Sequence, residues 1–267
     1  MQTDMIVGKP MKMILDFTIP VFIGNVFQQF YNMADAIIVG KFVGTKGLAA
    51  VGSTGTIMFL IIGFLMGLTA GFTVLTSQKF GAGKMDEMRQ SVGNAALLSI
   101  IISVIMTAVS MVGMHSLLTL MHTPEDIFQD AYTYIMIISA GIIATIFYNL
   151  FSSYLRAVGN SKIPLVFLVF SAALNVILDL VLIINFKMGV AGAAWATIIS
   201  QGVSAILCLV YIYIRMPSLA PNRRHWRLHG QESRNQLAMG IPMALQFAIT
   251  ASGTMVMQSA INLFGSD

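Results

Sequence analysis

Charged side chains are scarce in this sequence: Asp, Glu, Lys and Arg make up 10% of its 267 residues, whereas 57% are hydrophobic. A soluble domain carries about 25% charged residues, so the composition excludes an ordinary soluble protein and indicates a membrane protein. The sequence has a single cysteine, Cys208, which excludes an internal disulfide. Because Cys208 lies in an apolar run, we expect a buried and unreactive thiol.

Seven apolar segments are each long enough to cross a bilayer, which takes roughly 20 mainly apolar residues. They lie at about 13–40, 48–77, 91–113, 131–152, 163–184, 190–214 and 237–264. The sequence therefore predicts an all-α membrane protein. Residues 1–214 would form a six-helix transmembrane lobe, 215–236 a basic cytoplasmic linker, and 237–267 the first helix of a second, incomplete lobe.

The basic residues predict the orientation in the membrane. When the fifteen Lys and Arg residues are assigned to alternating sides of the spans, twelve fall on one side. An excess of Lys and Arg marks the cytoplasmic side. We therefore expect a multi-pass protein of the cytoplasmic (inner) membrane with a cytoplasmic amino terminus. The positive net charge is then a topology signal and does not indicate nucleic-acid binding.

Two acidic residues, Asp35 and Asp179, interrupt the apolar segments. An ionisable group in hydrocarbon costs several kcal/mol, so such residues are rare and typical of ion or proton pathways. Both predicted helices run outward, and Asp35 lies about five residues, or roughly 8 Å, below the outer edge. Asp179 lies at nearly the same depth. The sequence thus predicts two carboxylates in one layer of the outer half.

Further polar side chains extend this layer. Asn175 precedes Asp179 by one helical turn and shares its face, and Thr197 enters the sixth span at a similar depth. The set predicted to bind a coupling cation is Asp35, Asn175, Asp179 and Thr197. The set predicted to line a substrate cavity is Gln28, Tyr31, Asn32 and Tyr134.

The chemistry of these groups favours a hard cation. They offer oxygen and amide ligands, which suit sodium, whereas transition metals prefer His or Cys. Two nearby carboxylates repel each other, so binding a proton or a sodium ion neutralises the pair. We therefore expect a coupling ion, either sodium or a proton, and no other cofactor, metal or catalytic residue. The alternative is that each Asp is a structural hydrogen-bond acceptor in a packed bundle.

Two patterns concern the packing of the helices. Gly63, Gly67 and Gly71 form two small-xxx-small steps, which predict close approach of two helices rather than a substrate site. The run 17–20 is echoed at 239–242, as expected for a duplicated bundle. If the seventh span opens a second copy, the chain is truncated.

Five motifs in order resemble the multidrug and toxic compound extrusion (MATE) family, nearest its DinF-like branch. They lie at 20–35, 78–83, 155–162, 175–179 and 192–197. The resemblance implies twelve helices in two six-helix lobes. It also implies export of cationic, amphipathic compounds by antiport against sodium or protons, with the cation site on Asp35, Asn175, Asp179 and Thr197.

The leading hypothesis is therefore a cation-coupled antiporter, not an enzyme, that exports drugs and toxic compounds. Its partners would be these small molecules and the lipid bilayer, with no nucleic acid and no obligate protein partner. One alternative is a lipid-linked oligosaccharide flippase, which would need several basic cavity residues, and no Lys or Arg lies within the predicted spans. Another is a non-functional truncated fragment. An intramembrane aspartyl protease is disfavoured because Asp35 and Asp179 lack the Tyr-Asp and Gly-x-Gly-Asp contexts.

Overall fold

A computed structural model describes residues 10–262 of the chain as a bundle of helices. Two predictions fall partly outside this range: the assignment of Lys9 to the cytoplasmic side, and positions 263–267 of the last predicted helix. The helices are α1 (Pro10–Phe42), α2 (Thr45–Gly81), α3 (Met85–Leu120), α4 (Glu125–Ala140), α5 (Ile142–Ala157), α6 (Lys162–Leu180), α7 (Val190–Arg215) and α8 (Gly230–Asn262). A π-helical turn, Val181–Asn185, extends α6. Residues 10–262 contain no β-strand, and the all-α prediction is confirmed.

Six of these helices are long and apolar enough to cross a membrane, and α4 with α5 makes a seventh if this bent pair is counted as one span. The span predicted at 131–152 contains a bend, because α4 and α5 meet at an angle of 52°. The break lies at Gly141, where a side chain would collide with Ile198 of α7. The close approach of α7 therefore requires glycine at the bend.

The last helix also differs from its prediction. α8 begins at Gly230 rather than at 237, and its first turns contain polar residues. The connection from α7 contains one short 3₁₀ turn, Arg223–His225. It packs on the bundle, since Leu219, Ala220 and His225 are buried.

Helices α2 and α8 form the most extensive helix pair in the described chain. A Cβ atom added at Gly67 would lie 2.6 Å from backbone atoms of Ala244, and one at Gly71 would collide with the backbone of Gly240. Glycine on α2 therefore lets the two backbones approach closely. The predicted packing role of these glycines is confirmed.

The buried apolar side chains form three clusters, which hold the helices in place. One cluster surrounds Phe72, Tyr154 and Cys208 and includes Ala244 of α8. The predicted burial of the Cys208 thiol is confirmed. Another cluster brings Ile38 of α1 together with residues of α4 and α7, and so positions the polar residues on those helices.

Candidate functional site

The two acidic side chains predicted to share a layer are in direct contact. α1 packs against α6, and the carboxyl groups of Asp35 and Asp179 lie within hydrogen-bonding reach of each other. Asp179 is fully buried and Asp35 is half-buried. In each carboxyl group, atom Oδ1 is buried and has no hydrogen-bond donor among residues 10–262. An unpaired buried acceptor is unfavourable, so the pair offers two oxygen atoms to a proton or a cation.

Asn175 and Thr197 join this pair. We orient the Asn175 amide so that both of its ends are satisfied, because the two amide atoms are assigned from their partners. Its nitrogen then donates to Asp179 Oδ2 at 3.0 Å, and its oxygen accepts from the backbone N–H of Thr197 at 3.2 Å. Both residues are buried. The four residues of the predicted cation set are thus contiguous across α1, α6 and α7.

Two tyrosines of the predicted cavity set lie beside the carboxyl pair. The Tyr31 side chain lies close to Asp35 and to the Thr197 side chain. Tyr134 of α4 is near Asp35, Tyr31 and Asp179, but only 3% of its surface is exposed. Tyr134 therefore contributes to the wall behind the site rather than to an open surface.

The other two residues of that set do not reach the pair. Gln28 is half-buried and Asn32 is exposed, and neither makes a hydrogen bond within the part of the chain that the structure describes. The physical reason is the width of the polar stripe. Positions i, i+3, i+4 and i+7 cover a broad sector of a helix, so that Tyr31 and Asp35 turn towards α6 and α7 while Asn32 lies at the opposite edge.

The chain changes helix type next to the site, a feature that the sequence analysis missed. α6 passes into the π-helical turn Val181–Asn185 two residues after Asp179. Such turns are rare and occur frequently at functional sites. Because the segment 163–184 is uniformly apolar around Asp179, no residue pattern there indicates the turn.

The ligand chemistry of the site is that of oxygen and amide groups. Among residues 10–262 there is no group of three or more His, Cys, Asp or Glu side chains that could hold a metal ion. The carboxylates of Asp35 and Asp179 with the Thr197 hydroxyl are donors suited to a hard monovalent cation. The arrangement can therefore take up one positive charge between two helices.

A second polar cluster, the α8 seam, joins α8 to α2 and α3 at the opposite end of the bundle. Lys79 Nζ donates to Glu232 Oε2 at 2.8 Å, and only 18% and 11% of these side chains are exposed. Buried Asn94 donates to Gln236 Oε1 at 2.9 Å, and Gln236 Nε2 donates to the Ser91 carbonyl at 2.8 Å. The sequence signal was available: Asn94 is an amide within an apolar segment, like Asn175.

The helices also include basic residues that the predicted spans left out. The end turns of the helices contain Lys12, Lys41, Lys46, Lys79, Arg89, Arg156, Lys162, Arg215 and Arg234. The apolar segments themselves contain no Lys or Arg, and these residues are helical because the helices extend beyond those segments. Arg156 is half-buried in the last turn of α5 and donates to Ser153 Oγ at 2.9 Å.

Comparisons with known proteins place the chain among membrane transporters. Residues 20–181 match the MatE family. The probable multidrug resistance protein YpnP of Bacillus subtilis is 32% identical over 264 residues, which are 98% of this chain and 58% of that protein. The probable multidrug resistance protein NorM of Thermotoga maritima is 24% identical over 260 residues, which are 96% of this chain and 56% of that protein.

Solved structures agree in fold. A MOP superfamily transporter from Pyrococcus furiosus superposes with a TM-score of 0.85 at 27% identity, over 92% of this chain and 54% of that chain. The outward-facing conformation of a multidrug resistance MATE family transporter gives a TM-score of 0.83 at 27% identity, over 90% of this chain and 53% of that chain. The chain spans about half the length of the relatives it matches. It is a multi-pass integral membrane protein and belongs to the MatE family, whose members are membrane transporters and not enzymes.

Proposed function

We propose that the chain forms the cation-binding lobe of an antiporter that exports amphipathic, often cationic drugs and toxic compounds. The observation that carries the proposal is the contact between the Asp35 and Asp179 carboxyl groups, each with an unpaired buried oxygen. Two charged carboxylates in contact repel, and a bound sodium ion or proton removes that repulsion. A conformation that holds the pair together is therefore favoured when the coupling ion is bound.

This preference supplies the coupling. A ligand shifts an equilibrium between two conformations only by its difference in affinity for them. Asp35 belongs to α1 and Asp179 to α6, so any movement of α1 relative to α6 changes the distance between the carboxyl groups. Ion binding then stabilises one arrangement of α1, and ion release allows the other.

The substrate class rests on the relatives. YpnP and the Thermotoga maritima NorM are named as probable multidrug resistance proteins. In this chain, Tyr31 lies beside the carboxyl pair, and Gln28 and Asn32 lie further around or along the same polar stripe of α1. We propose that these three residues line the drug cavity together with Tyr134. A cationic drug would then compete with the coupling ion for the same negative potential.

The location in the cell is part of the same proposal. The distribution of Lys and Arg supports insertion in the cytoplasmic membrane with the amino terminus inside. Since the chain spans about half of its relatives' length, drug export as a whole activity is proposed for the protein in which this lobe functions.

The test of the site is substitution of each carboxylate. Asp35→Asn and Asp179→Asn keep the side-chain size but remove the negative charge. We expect both variants to lose the drug resistance that the wild type confers on sensitive cells. Asp16→Asn, an exposed position on the same helix α1, is the matched control and should keep it. Wild-type resistance in both carboxylate variants, at equal expression, would refute the assignment.

The coupling ion is identified by binding, which does not require transport. Cys208 is buried and is the single thiol, so its reaction with a thiol dye reports unfolding on heating. A ligand that binds the folded state at about 100 times its Kd stabilises it by about 2.7 kcal/mol. For sodium, replacement of potassium chloride by sodium chloride should raise the wild-type transition temperature but not that of Asp179→Asn. If the coupling ion is a proton, only a lower pH should raise the wild-type transition temperature.

The flippase alternative has less support. Its substrate would call for several basic side chains around the cavity. In residues 10–262, Lys79 is paired with Glu232, and Arg89 donates to the carbonyl of Ser218. Arg156 alone remains as a half-buried basic residue without a carboxylate or backbone partner, and it lies in the last helical turn.

A further inference from the structure

The connection between α7 and α8 is held firmly against the bundle. Arg89 donates to the Ser218 carbonyl at 3.0 Å, and the Tyr213 hydroxyl donates to the Pro221 carbonyl at 3.2 Å. The carbonyl of buried His225 lies so close to Gly93 that a side chain there would collide with it. Residues 216–229 therefore present a fixed surface, and their outward-facing side chains have defined positions.

That surface is basic and aromatic. Arg223, Trp226, Arg227 and Leu228 are exposed, as is Arg215 at the end of α7. The guanidinium groups of Arg215, Arg223 and Arg227 make no hydrogen bond or ion pair with any residue in the range 10–262. We call these three arginines with Trp226 the arginine platform. Three unpaired cations beside exposed apolar surface call for a partner that is both anionic and amphipathic.

The platform lies at the level of the lipid headgroups. α7 has 26 residues, a length of about 39 Å, whereas the hydrocarbon core is about 30 Å thick. The end of α7 at Arg215 therefore reaches the headgroup region, and the hydrogen bond from Tyr213 to Pro221 ties the connection to that end. Trp and Tyr are enriched at this depth because their rings are amphipathic.

The chemistry selects the phosphate group. The planar guanidinium donates two parallel hydrogen bonds to one phosphate, a geometry that lysine cannot match. Basic residues beside a membrane are attracted to anionic lipids. Arg224 differs from its neighbours because it is paired with Asp86 and is not available to a lipid.

We propose that the arginine platform binds the phosphate headgroups of anionic phospholipids in the adjacent leaflet. This inference depends on insertion in a membrane and not on the proposed transport cycle. The bound lipid would fix the height of the α7–α8 connection in the bilayer, and with it the first turn of α8.

The two tryptophans of the chain provide the test. Trp195→Phe leaves Trp226 as the single tryptophan, and Trp226→Phe leaves Trp195, which is 41% exposed near the opposite end of α7. Each variant is placed in zwitterionic vesicles with a small fraction of spin-labelled phosphatidylglycerol or phosphatidylcholine. We expect phosphatidylglycerol to quench Trp226 several-fold more strongly than phosphatidylcholine, and the two lipids to quench Trp195 equally. Equal quenching of Trp226 by both lipids would overturn the proposal.

A second set of variants separates headgroup binding from other causes. In the Trp195→Phe background, the double change Arg223→Gln with Arg227→Gln should remove the preference, and Arg234→Gln, an exposed arginine on α8, should keep it. An unchanged preference in the double variant overturns the proposal. The proposal is also overturned if millimolar inorganic phosphate abolishes the preference of Trp226 for phosphatidylglycerol. That result would assign the platform to a free anion. An unreactive Cys208 verifies folding, and the two-lipid comparison decides the matter even if the double variant does not fold.

Discussion

The contact between α2 and α8 predicts a graded response to adding one methyl group. At Gly71 and Gly67 an added Cβ meets backbone atoms of α8, which cannot move aside by a change of rotamer. At Gly63 it would lie 3.4 Å from the Phe247 side chain, which is an ordinary contact. At Gly55 it would meet no atom within 4 Å. Four alanine substitutions on one helix thus differ only in what the methyl group touches.

The magnitude follows from the distances. A Cβ atom at Gly67 would lie 2.6 Å from the Ala244 backbone, and non-bonded carbon atoms rest at about 3.5–4.0 Å. The helices must therefore separate by roughly 1 Å, which forfeits a quarter to a half of each contact energy along the pair. Overpacking of this kind costs about 1–3 kcal/mol. We expect that loss for Gly67→Ala and Gly71→Ala, little for Gly63→Ala, and none for Gly55→Ala.

The native thiol measures the effect. Cys208 lies in the same buried cluster as Leu68, Phe72 and Ala244, so separation of α8 from α2 exposes this region. The temperature at which a thiol dye reacts should fall by several degrees for Gly67→Ala and Gly71→Ala. If these two variants unfold at the same temperature as Gly55→Ala, the close approach of the helices does not stabilise the fold and the reasoning is wrong.

Two further predictions concern the α8 seam, and both are measured by the same thiol assay. Lys79→Met and Glu232→Gln should each destabilise the protein more than the double variant does. The reason is that removal of one member leaves the charge of the other largely buried and unpaired. Additive effects of the two single changes would contradict this prediction. Asn94→Leu should cost about 1–3 kcal/mol for each buried group it leaves unpaired, including Gln236 Oε1 and the backbone N–H of His229. The loss of stability caused by Gln236→Leu should be smaller in the Asn94→Leu background than in the wild type, because the two residues are hydrogen-bond partners.

The parts of the fold that depend on local sequence could be predicted. The apolar segments gave the helices, and the scarcity of charge made Asp35 and Asp179 conspicuous. Helical periodicity then placed Asn175 on the face of Asp179, and their hydrogen bond at 3.0 Å agrees with that spacing. Whether these residues bind a cation stays a prediction.

The parts that depend on neighbouring helices could not be predicted. The break at Gly141 lies against Ile198 of α7, which is far away in sequence. The first turns of α8 contain Glu232 and Gln236, polar residues that interrupt the apolar pattern from which the span was predicted. They can pack against the bundle here because α2 and α3 provide Lys79 and Asn94 as partners.

The glycines and the α8 seam have complementary effects on the position of α8. Within a bilayer, close packing at Gly67 and Gly71 brings the backbones together through dispersion, with the small residues Ala244 and Gly240 of α8 opposite them. The hydrogen bonds add a second constraint on the register, since a shift of α8 by one residue would move Gln236 away from Asn94 and leave buried amide groups unpaired. The polar cluster therefore fixes the register at one end of α8, and the glycines bring the rest of the helix into contact with α2.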